Sequence, residues 1–182
     1  MKRLKKRSTA ALVLVLAAVL SVLCGGSWKL NQIRAAAEEA FFHGTAGFSM
    51  QDDLLELRET GYNLLRLLEG SDADEGGKRA AANAWAKLDE ASTIYEYKAA
   101  HDGLSSAFSG LSPSFGDAAA QERWDRQMAS FSEYESHLRF DSYYDEKAAA
   151  YNRLLERDPL TRALGSLSGG ALPRWANERI GK

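Results

Sequence analysis

The order of apolar and polar positions divides this chain into one unbroken apolar run and a longer part with helical spacing. No charged residue occurs between positions 8 and 28, and positions 10–20 hold only Ala, Leu and Val. A helix over this run would reach about 30 Å, the thickness of a bilayer's hydrocarbon core. The pattern therefore predicts a transmembrane helix near the N-terminus.

A dense basic cluster precedes the apolar run and sets its expected orientation. The cluster consists of Lys2, Arg3, Lys5, Lys6 and Arg7. Positive charges beside a membrane span usually stay in the cytoplasm. We therefore expect a single-pass protein of the cell membrane, with the bulk of the chain on the extracytoplasmic side.

The same segment is also compatible with a cleaved signal peptide or with a lipoprotein. Small residues follow at positions 25–27, but no Ala-x-Ala motif precedes them. Leu23 is bulky where a lipoprotein would carry Gly or Ala before a modified Cys24. The balance favours an uncleaved signal-anchor, and a chain cleaved near Ser27 is the alternative.

Beyond the anchor, apolar side chains recur in alternating steps of three and four, which is the spacing of one helix face. Residues that cap or break helices mark the boundaries. One predicted stripe is Leu54, Leu57, Gly61, Leu64 and Leu68, and another is Ile94, Tyr97, His101, Leu104 and Phe108. The predicted helix starts are Ser49, position 78, Ser92 and Asp117, and the predicted ends or breaks are 44–47, Gly70, 112–116, 141–142, Arg157 and 168–170.

Several stripes joined by short loops predict an all-α fold, with the transmembrane helix followed by an antiparallel long-helix bundle. Residues 1–28 form the basic N-terminus and transmembrane signal-anchor in this prediction. Residues 29–170 form the bundle, and residues 171–182 form a C-terminal tail. We expect Leu172 and Trp175 of the tail to dock on the bundle.

Charge and cysteine content narrow the partners. Without the five basic residues of the N-terminal cluster, 18 of the 23 Lys and Arg remain against 25 Asp and Glu, a net charge of −7. An acidic domain has no electrostatic attraction to nucleic acid, so we expect no nucleic-acid partner. The single cysteine, Cys24, lies in the apolar run and excludes a disulfide framework.

No residue pattern indicates a catalytic centre, a cofactor site or a metal site, and the sequence predicts none of them. Nucleotide-binding glycine motifs and the G-x-S-x-G motif do not occur. Glu133 and His137 have i,i+4 spacing, which predicts an exposed helix pair rather than metal ligands. The acidic loop that begins at Asp72 departs from a calcium loop at its fifth and twelfth positions, so a solvated loop is expected.

Two polar residues fall on apolar stripes. His101 lies on the predicted fourth helix and Glu135 on the fifth. Burying either group alone would be costly, so they would pair inside the bundle or reach water near its end. The first arrangement would create a polar pocket between the two helices, and the second, which the sequence favours, would carry no function.

The last third of the chain resembles the LemA family of bacterial membrane proteins. The family signature has two Tyr-Asn pairs seven residues apart, followed by Phe-Pro. Here the corresponding pairs are Tyr144-Asp145, Tyr151-Asn152 and Asp158-Pro159, then an apolar segment at 163–167 and an aromatic at Trp175. Residues 131–138, with Glu135, resemble the stretch before the first pair with the spacing shifted by one. The family's upstream motif is mostly missing, and only Asn63-Leu64 matches its end.

This resemblance implies a membrane anchor and a helical bundle, and it brings no catalytic residue. Our first hypothesis is a membrane-anchored interaction or scaffold module with a protein partner at the envelope and no enzymatic activity. The alternative is an exported, signal-cleaved helical domain that binds a ligand, or acts on one, near His101 and Glu135. Assembly through the extension at 28–42 is a third possibility, although the apolar run contains no G-x-x-x-G motif.

Overall fold

The computed structural model describes residues 2–44, 49–140, 142–157 and 159–175. Over these residues the chain is all-helical, with seven helices and no strand, which confirms the all-α part of the predicted fold. The helices are α1 Lys2–Phe42, α2 Met50–Leu68, α3 Glu75–Glu90, α4 Ile94–Ser109, α5 Ala118–Phe140, α6 Ser142–Arg157 and α7 Pro159–Leu167. The predicted breaks at 45–47 and at Asp141, the residue Asp158 and the tail positions 176–182 lie outside the described residues.

The first helix combines two environments in one continuous element. Over positions 13–18 and at Leu20 its side chains are exposed, and the exposed fraction reaches 72% at Leu14. Leu30, Ala37 and Phe41 of the same helix are buried in the hydrophobic core. Within the described residues, the stretch Val13–Phe42 is long and apolar enough, by length and composition, to cross a membrane.

Side chains at the predicted caps set the start of α2 as expected. Ser49 accepts a hydrogen bond from the backbone N–H of Asp52, whose carboxylate accepts one from the Ser49 N–H. This reciprocal pair is a capping box, and it satisfies two backbone donors that the first turn cannot pair internally. Downstream, α2 ends at Leu68 with Glu69 as its C-cap, slightly before the predicted end at Gly70.

Two predicted helix starts were wrong, one by three residues and one by a single residue, because other side chains cap these helices. Helix α3 begins at Glu75 rather than at position 78. The Asp74 carboxylate accepts the N–H of Gly77, and this cap stabilises the first helical turn although Gly76 and Gly77 disfavour helix. Helix α4 is capped by Thr93 rather than Ser92. The carboxylate of its third residue, Glu96, accepts hydrogen bonds from the backbone N–H groups of both Thr93 and Ser92.

Helices α5 and α6 follow each other with one intervening position, yet they pack on different partners. Asp117 begins α5 as predicted, since its carboxylate accepts the N–H of Ala119. Helix α5 packs on α2, whereas α6 packs on α1 and α7. Helix α6 ends at Arg157, as expected before Pro159.

A single apolar core joins the helices. After α7, Gly169 and Gly170 adopt positive φ angles of 95° and 75°. This turn brings the chain back toward α6 and places Leu172 and Trp175 in the core. Both docking expectations are thereby confirmed. The buried members of the core on α2, α4, α5 and α6 include Leu54, Leu57, Leu64, Leu68, Ile94, Leu104, Phe108, Trp124, Phe131, Leu138, Tyr144, Ala148, Tyr151 and Leu155.

Candidate functional site

Polar side chains of α6 bind the extended segment that follows α7. The Tyr144 hydroxyl donates to the Pro173 carbonyl at 2.7 Å, and the backbone N–H of Trp175 donates to the Asp145 carboxylate at 2.9 Å. The Asn152 amide both donates to the carbonyl and accepts from the N–H of Leu172, each at 2.8 Å. An extended segment without a sheet needs such partners for its backbone groups.

The spacing of α6 explains why these side chains act together. Asp145 and Asn152 lie seven residues apart, as do Tyr144 and Tyr151, so each pair occupies one helix face. Burial raises the pKa of the Tyr144 hydroxyl, which therefore keeps its proton and remains a donor. The two residue pairs that resembled the Tyr-Asn signature thus contribute three of the side chains that hold the C-terminal segment.

The bound segment places Trp175 against α4. The Trp175 ring lies 5.0 Å from the His101 ring, centroid to centroid, and the Lys98 Nζ lies 5.5 Å from the Trp175 ring centroid. Aromatic and cationic groups at these distances attract each other through the quadrupole of the ring. Trp175 therefore covers one side of His101 and limits its access to solvent.

His101 and Glu135 come together in the structure. The His101 Nε2 and the Glu135 Oε1 are 3.9 Å apart, and neither atom has a hydrogen-bond partner among the described residues. His101 is 6% exposed and the Glu135 side chain 15%, so both are largely buried. The sequence favoured the arrangement in which both residues reach water near the end of the bundle. The structure instead shows them largely buried and facing each other across α4 and α5.

A second carboxylate faces the other ring nitrogen. The His101 Nδ1 is 3.3 Å from the Asp102 carboxylate. Burial lowers the pKa of His101, an effect that its carboxylate neighbours only partly offset, so the neutral ring is favoured. A neutral imidazole has one N–H, so it can donate to Asp102 or toward Glu135 but not to both.

A polar cleft of about 380 Å³ opens beside this ring. Two cations, Lys98 and Arg139, stand on its walls together with serine hydroxyls, and Arg139 lies 3.9 Å from Glu135. No hydrogen bond joins His101 to a serine within the described residues, so the cleft contains no assembled nucleophile and base. The lining residues are Lys98, His101, Asp102, Ser105, Ser106, Ser109, Arg139 and Trp175.

The other polar candidates of the sequence have structural roles. The Asp72 carboxylate accepts hydrogen bonds from the backbone N–H and the hydroxyl of Ser114, and these bonds lower its pKa. Asp72 therefore ties two loops together. The His137 Nδ1 lies 3.4 Å from the Asp53 carboxylate of α2. Among the described residues, no group of three His, Cys, Asp or Glu side chains could hold a metal ion.

A wider groove of about 600 Å³ lies between α2 and α3, and the sequence did not predict it. Tyr62 is 45% exposed there, and its ring lies 5.5 Å from that of Trp85. The Trp85 indole N–H donates to the Arg58 carbonyl at 2.8 Å, which fixes the ring across the two helices. The only signal in the sequence was Tyr62 at the border of the α2 stripe.

Comparison with known proteins does not identify the chain. No family model matches it, and neither a curated protein nor a solved structure is significantly similar to it. Its function must therefore be argued from its own residues.

Proposed function

We propose that this protein is a single-pass membrane protein whose helical bundle serves as an interaction or scaffold module on the extracytoplasmic side. One observation carries the proposal. Helix α1 exposes apolar side chains such as Val13, Leu16 and Leu20 and then enters the core at Leu30 without a break. Exposed apolar side chains in series are stable in a bilayer and costly in water.

A continuous helix also couples the bundle to the membrane. Because Leu30 and Phe41 are buried in the core, the bundle cannot rotate freely about a flexible linker. The basic cluster before the span supports a cytoplasmic N-terminus and an extracytoplasmic bundle. Such a module would hold its surfaces at a fixed height above the bilayer.

The proposal includes a divergent LemA-like identity. Its support is the pattern of Tyr144-Asp145 and Tyr151-Asn152 together with the work these pairs do in holding residues 171–175. Asp145 replaces the first Asn of the signature, and its carboxylate accepts the backbone N–H of Trp175, as an amide oxygen could. The short connections at 69–74 and 91–93 support an antiparallel order of α2, α3 and α4.

The groove between α2 and α3 is the proposed contact surface for a protein partner at the envelope. It offers an exposed aromatic, Tyr62, beside the charged side chains of Arg66, Glu69 and Lys78. Aromatic residues inside a polar rim are typical of protein interfaces. A photo-crosslinking amino acid at Tyr62 should yield a discrete adduct in cells, and one at Asn83, exposed on α3, should not. Equal labelling at both positions would remove the groove from the proposal.

Fractionation with intact mass tests the anchor. The native protein should remain in membranes after alkaline washing, and its intact mass should include the apolar segment at positions 8–28. A protein that lacks its first segment and appears in the soluble exported fraction would contradict the proposal. That result would favour the exported form instead.

The polar cleft supports a second candidate function, an exported domain that binds a small anion. Lys98 and Arg139, which pair with Asp102 and Glu135, supply positive charge, and the largely buried His101 also lines the cleft. Titration with inorganic phosphate and with succinate, followed by the His101 ring signals in NMR, tests this candidate. Saturable shifts that disappear in Arg139→Gln would support it, and unchanged signals at millimolar anion would dismiss it.

A further inference from the structure

Helix α7 carries an apolar face that the rest of the described chain leaves largely uncovered. Leu160, Leu164 and Leu167 are spaced i, i+4 and i+7, so they lie on one face of the helix. The middle residue, Leu164, is half-buried, whereas Leu160 is 49% and Leu167 85% exposed. We propose that this face lies in the lipid headgroup region of the membrane and that α7 is a second, interfacial membrane contact. This inference rests on the membrane anchor proposed above.

The position of α7 along α1 identifies the occupant. The Cβ position of Gly26 lies 3.3 Å from Leu164 Cδ1, so α7 meets α1 at the end of the uncharged run. Gly26 precedes Trp28 by about 3 Å along the helix axis at 1.5 Å per residue. Trp28 is 67% exposed, and exposed tryptophan at the end of a span is typical of the membrane interface.

Contacts on its other side fix α7 in this place. Gly165 is buried, and the space where its side chain would lie is filled by Leu155 of α6. The Arg34 guanidinium of α1 donates to the carbonyl of Gly170, just after α7, at 3.2 Å. Because α7 is held on both α1 and α6, a bilayer that surrounds the apolar run of α1 must also reach the leucine face of α7.

Apolar insertion into lipid, rather than charge attraction to lipid headgroups, explains this face. Leu16 and Leu20 of α1 are exposed as the α7 leucines are, so one apolar solvent can cover both helices. The net charge of −7 outside the N-terminal cluster opposes attraction to anionic lipids. The contact therefore depends on apolar insertion, and salt should not release it.

Fluorescence quenching of single cysteine labels in the full-length protein tests the inference. In a Cys24→Ser background, an NBD fluorophore is placed at Leu167→Cys, at Leu20→Cys within the span, or at Asn83→Cys on α3. The proteins are reconstituted into phosphatidylcholine vesicles that contain doxyl lipids with the spin label at shallow or deep positions. All three side chains are exposed, so the labels leave the core intact.

We expect the label at position 167 to be quenched by shallow doxyl lipids, at a depth of about 5–10 Å below the surface, with blue-shifted emission that survives molar salt. The label at position 20 should be quenched by deep doxyl lipids, and the label at position 83 by neither. If position 167 behaves like position 83 while position 20 is quenched, the anchor stands and the inference about α7 fails. If position 20 is not quenched, the anchor itself fails and the inference fails with it. Protection of position 167 from iodide without quenching by lipid would show a protein contact and would also overturn the inference.

Discussion

Asn152 binds the backbone of Leu172 through both halves of its amide, with the donor and the acceptor each at 2.8 Å. Only an amide side chain presents a donor and an acceptor in this geometry. The contact joins the last turns of α6 to a segment that has no secondary structure of its own. Together with Tyr144 and Asp145, it makes the C-terminal segment part of the fold and places Trp175 beside His101.

Asn152→Asp should destabilise the protein, because a carboxylate cannot donate to the Leu172 carbonyl. Leaving a partly buried polar group unpaired costs about 1–3 kcal/mol. Urea unfolding of the full chain in detergent micelles, followed by tryptophan fluorescence, measures the change. Asn63→Asp, at an exposed position of α2, is the matched control and should alter the free energy of unfolding far less. Equal effects of the two variants would show that the amide contact contributes little.

Gly165→Ala should disturb the seat of α7 on α6. An added Cβ would overlap the Leu155 side chain, so that side chain or one of the two helices must shift, at a cost of about 1–3 kcal/mol. Gly103→Ala is the control, because nothing lies within 4 Å of its Cβ position and alanine favours a helix.

A double-mutant cycle separates this clash from a general loss of stability. The three atoms nearest to the Gly165 Cβ position all belong to Leu155, so Gly165→Ala should cost less in a Leu155→Ala background. Coupling energies between contacting residues are about 0.5–3 kcal/mol. Additive effects in the cycle would contradict the close packing of α6 and α7.

The Glu96 cap should give the protein an acid-sensitive contribution to stability. Hydrogen bonds from the backbone and hydroxyl of Ser92, and then from Thr93, lower the pKa of Glu96 from 4.5 to about 2. A carboxylate with a lower pKa in the folded state stabilises the fold above pH 4.5, and this contribution is lost as the pH falls toward 2. Glu96→Gln should flatten the pH dependence of stability in that window, and Glu90→Gln should not. A wild-type slope in Glu96→Gln would refute the role of the cap.

His101 should contribute a second, milder pH dependence. Burial lowers its pKa below 6.5 in the folded state, so protonation favours the unfolded chain. Stability should therefore fall as the pH drops below 6.5, although Asp102 and Glu135 partly oppose the change. Unfolding free energies of His101→Gln should depend less on pH in this range. His43→Gln, at an exposed histidine, should follow the wild type, and an unchanged slope in His101→Gln would contradict the buried, neutral state.

The spacing of apolar residues predicted the helices, because the buried face of each helix forms a pattern within a short stretch of sequence. Leu54 and Leu64 are core residues as their spacing indicates. Capping was predicted where one residue dominates, as at Ser49, and missed by a residue or more where neighbouring residues compete, as at Ser92 and Thr93. The sequence alone does not show which of two adjacent hydroxyl residues caps a helix, because both can accept the same kind of hydrogen bond.

The candidate site depended on contacts between distant parts of the chain. His101 and Glu135 were identifiable because each interrupts an apolar stripe, and the structure shows them 3.9 Å apart. The cleft beside them was not predictable, since Trp175 reaches it only through the turn at Gly169 and Gly170 and the bonds to α6. The sequence predicted that Trp175 docks but not where, because the partners of the C-terminal segment lie 20 to 30 residues away on another helix.

The depth of Cys24 in a bilayer tests the central claim, that α1 is both the anchor and a core helix. Cys24 is the only cysteine of the chain and is exposed on α1, so a spin label can be attached without mutation. In reconstituted vesicles the label should collide more often with dissolved oxygen than with a water-soluble nickel complex. A label at Asn83→Cys in a Cys24→Ser background should show the opposite preference. If the Cys24 label meets the nickel complex as often as the label at position 83, α1 does not cross the membrane at this point and the account is wrong.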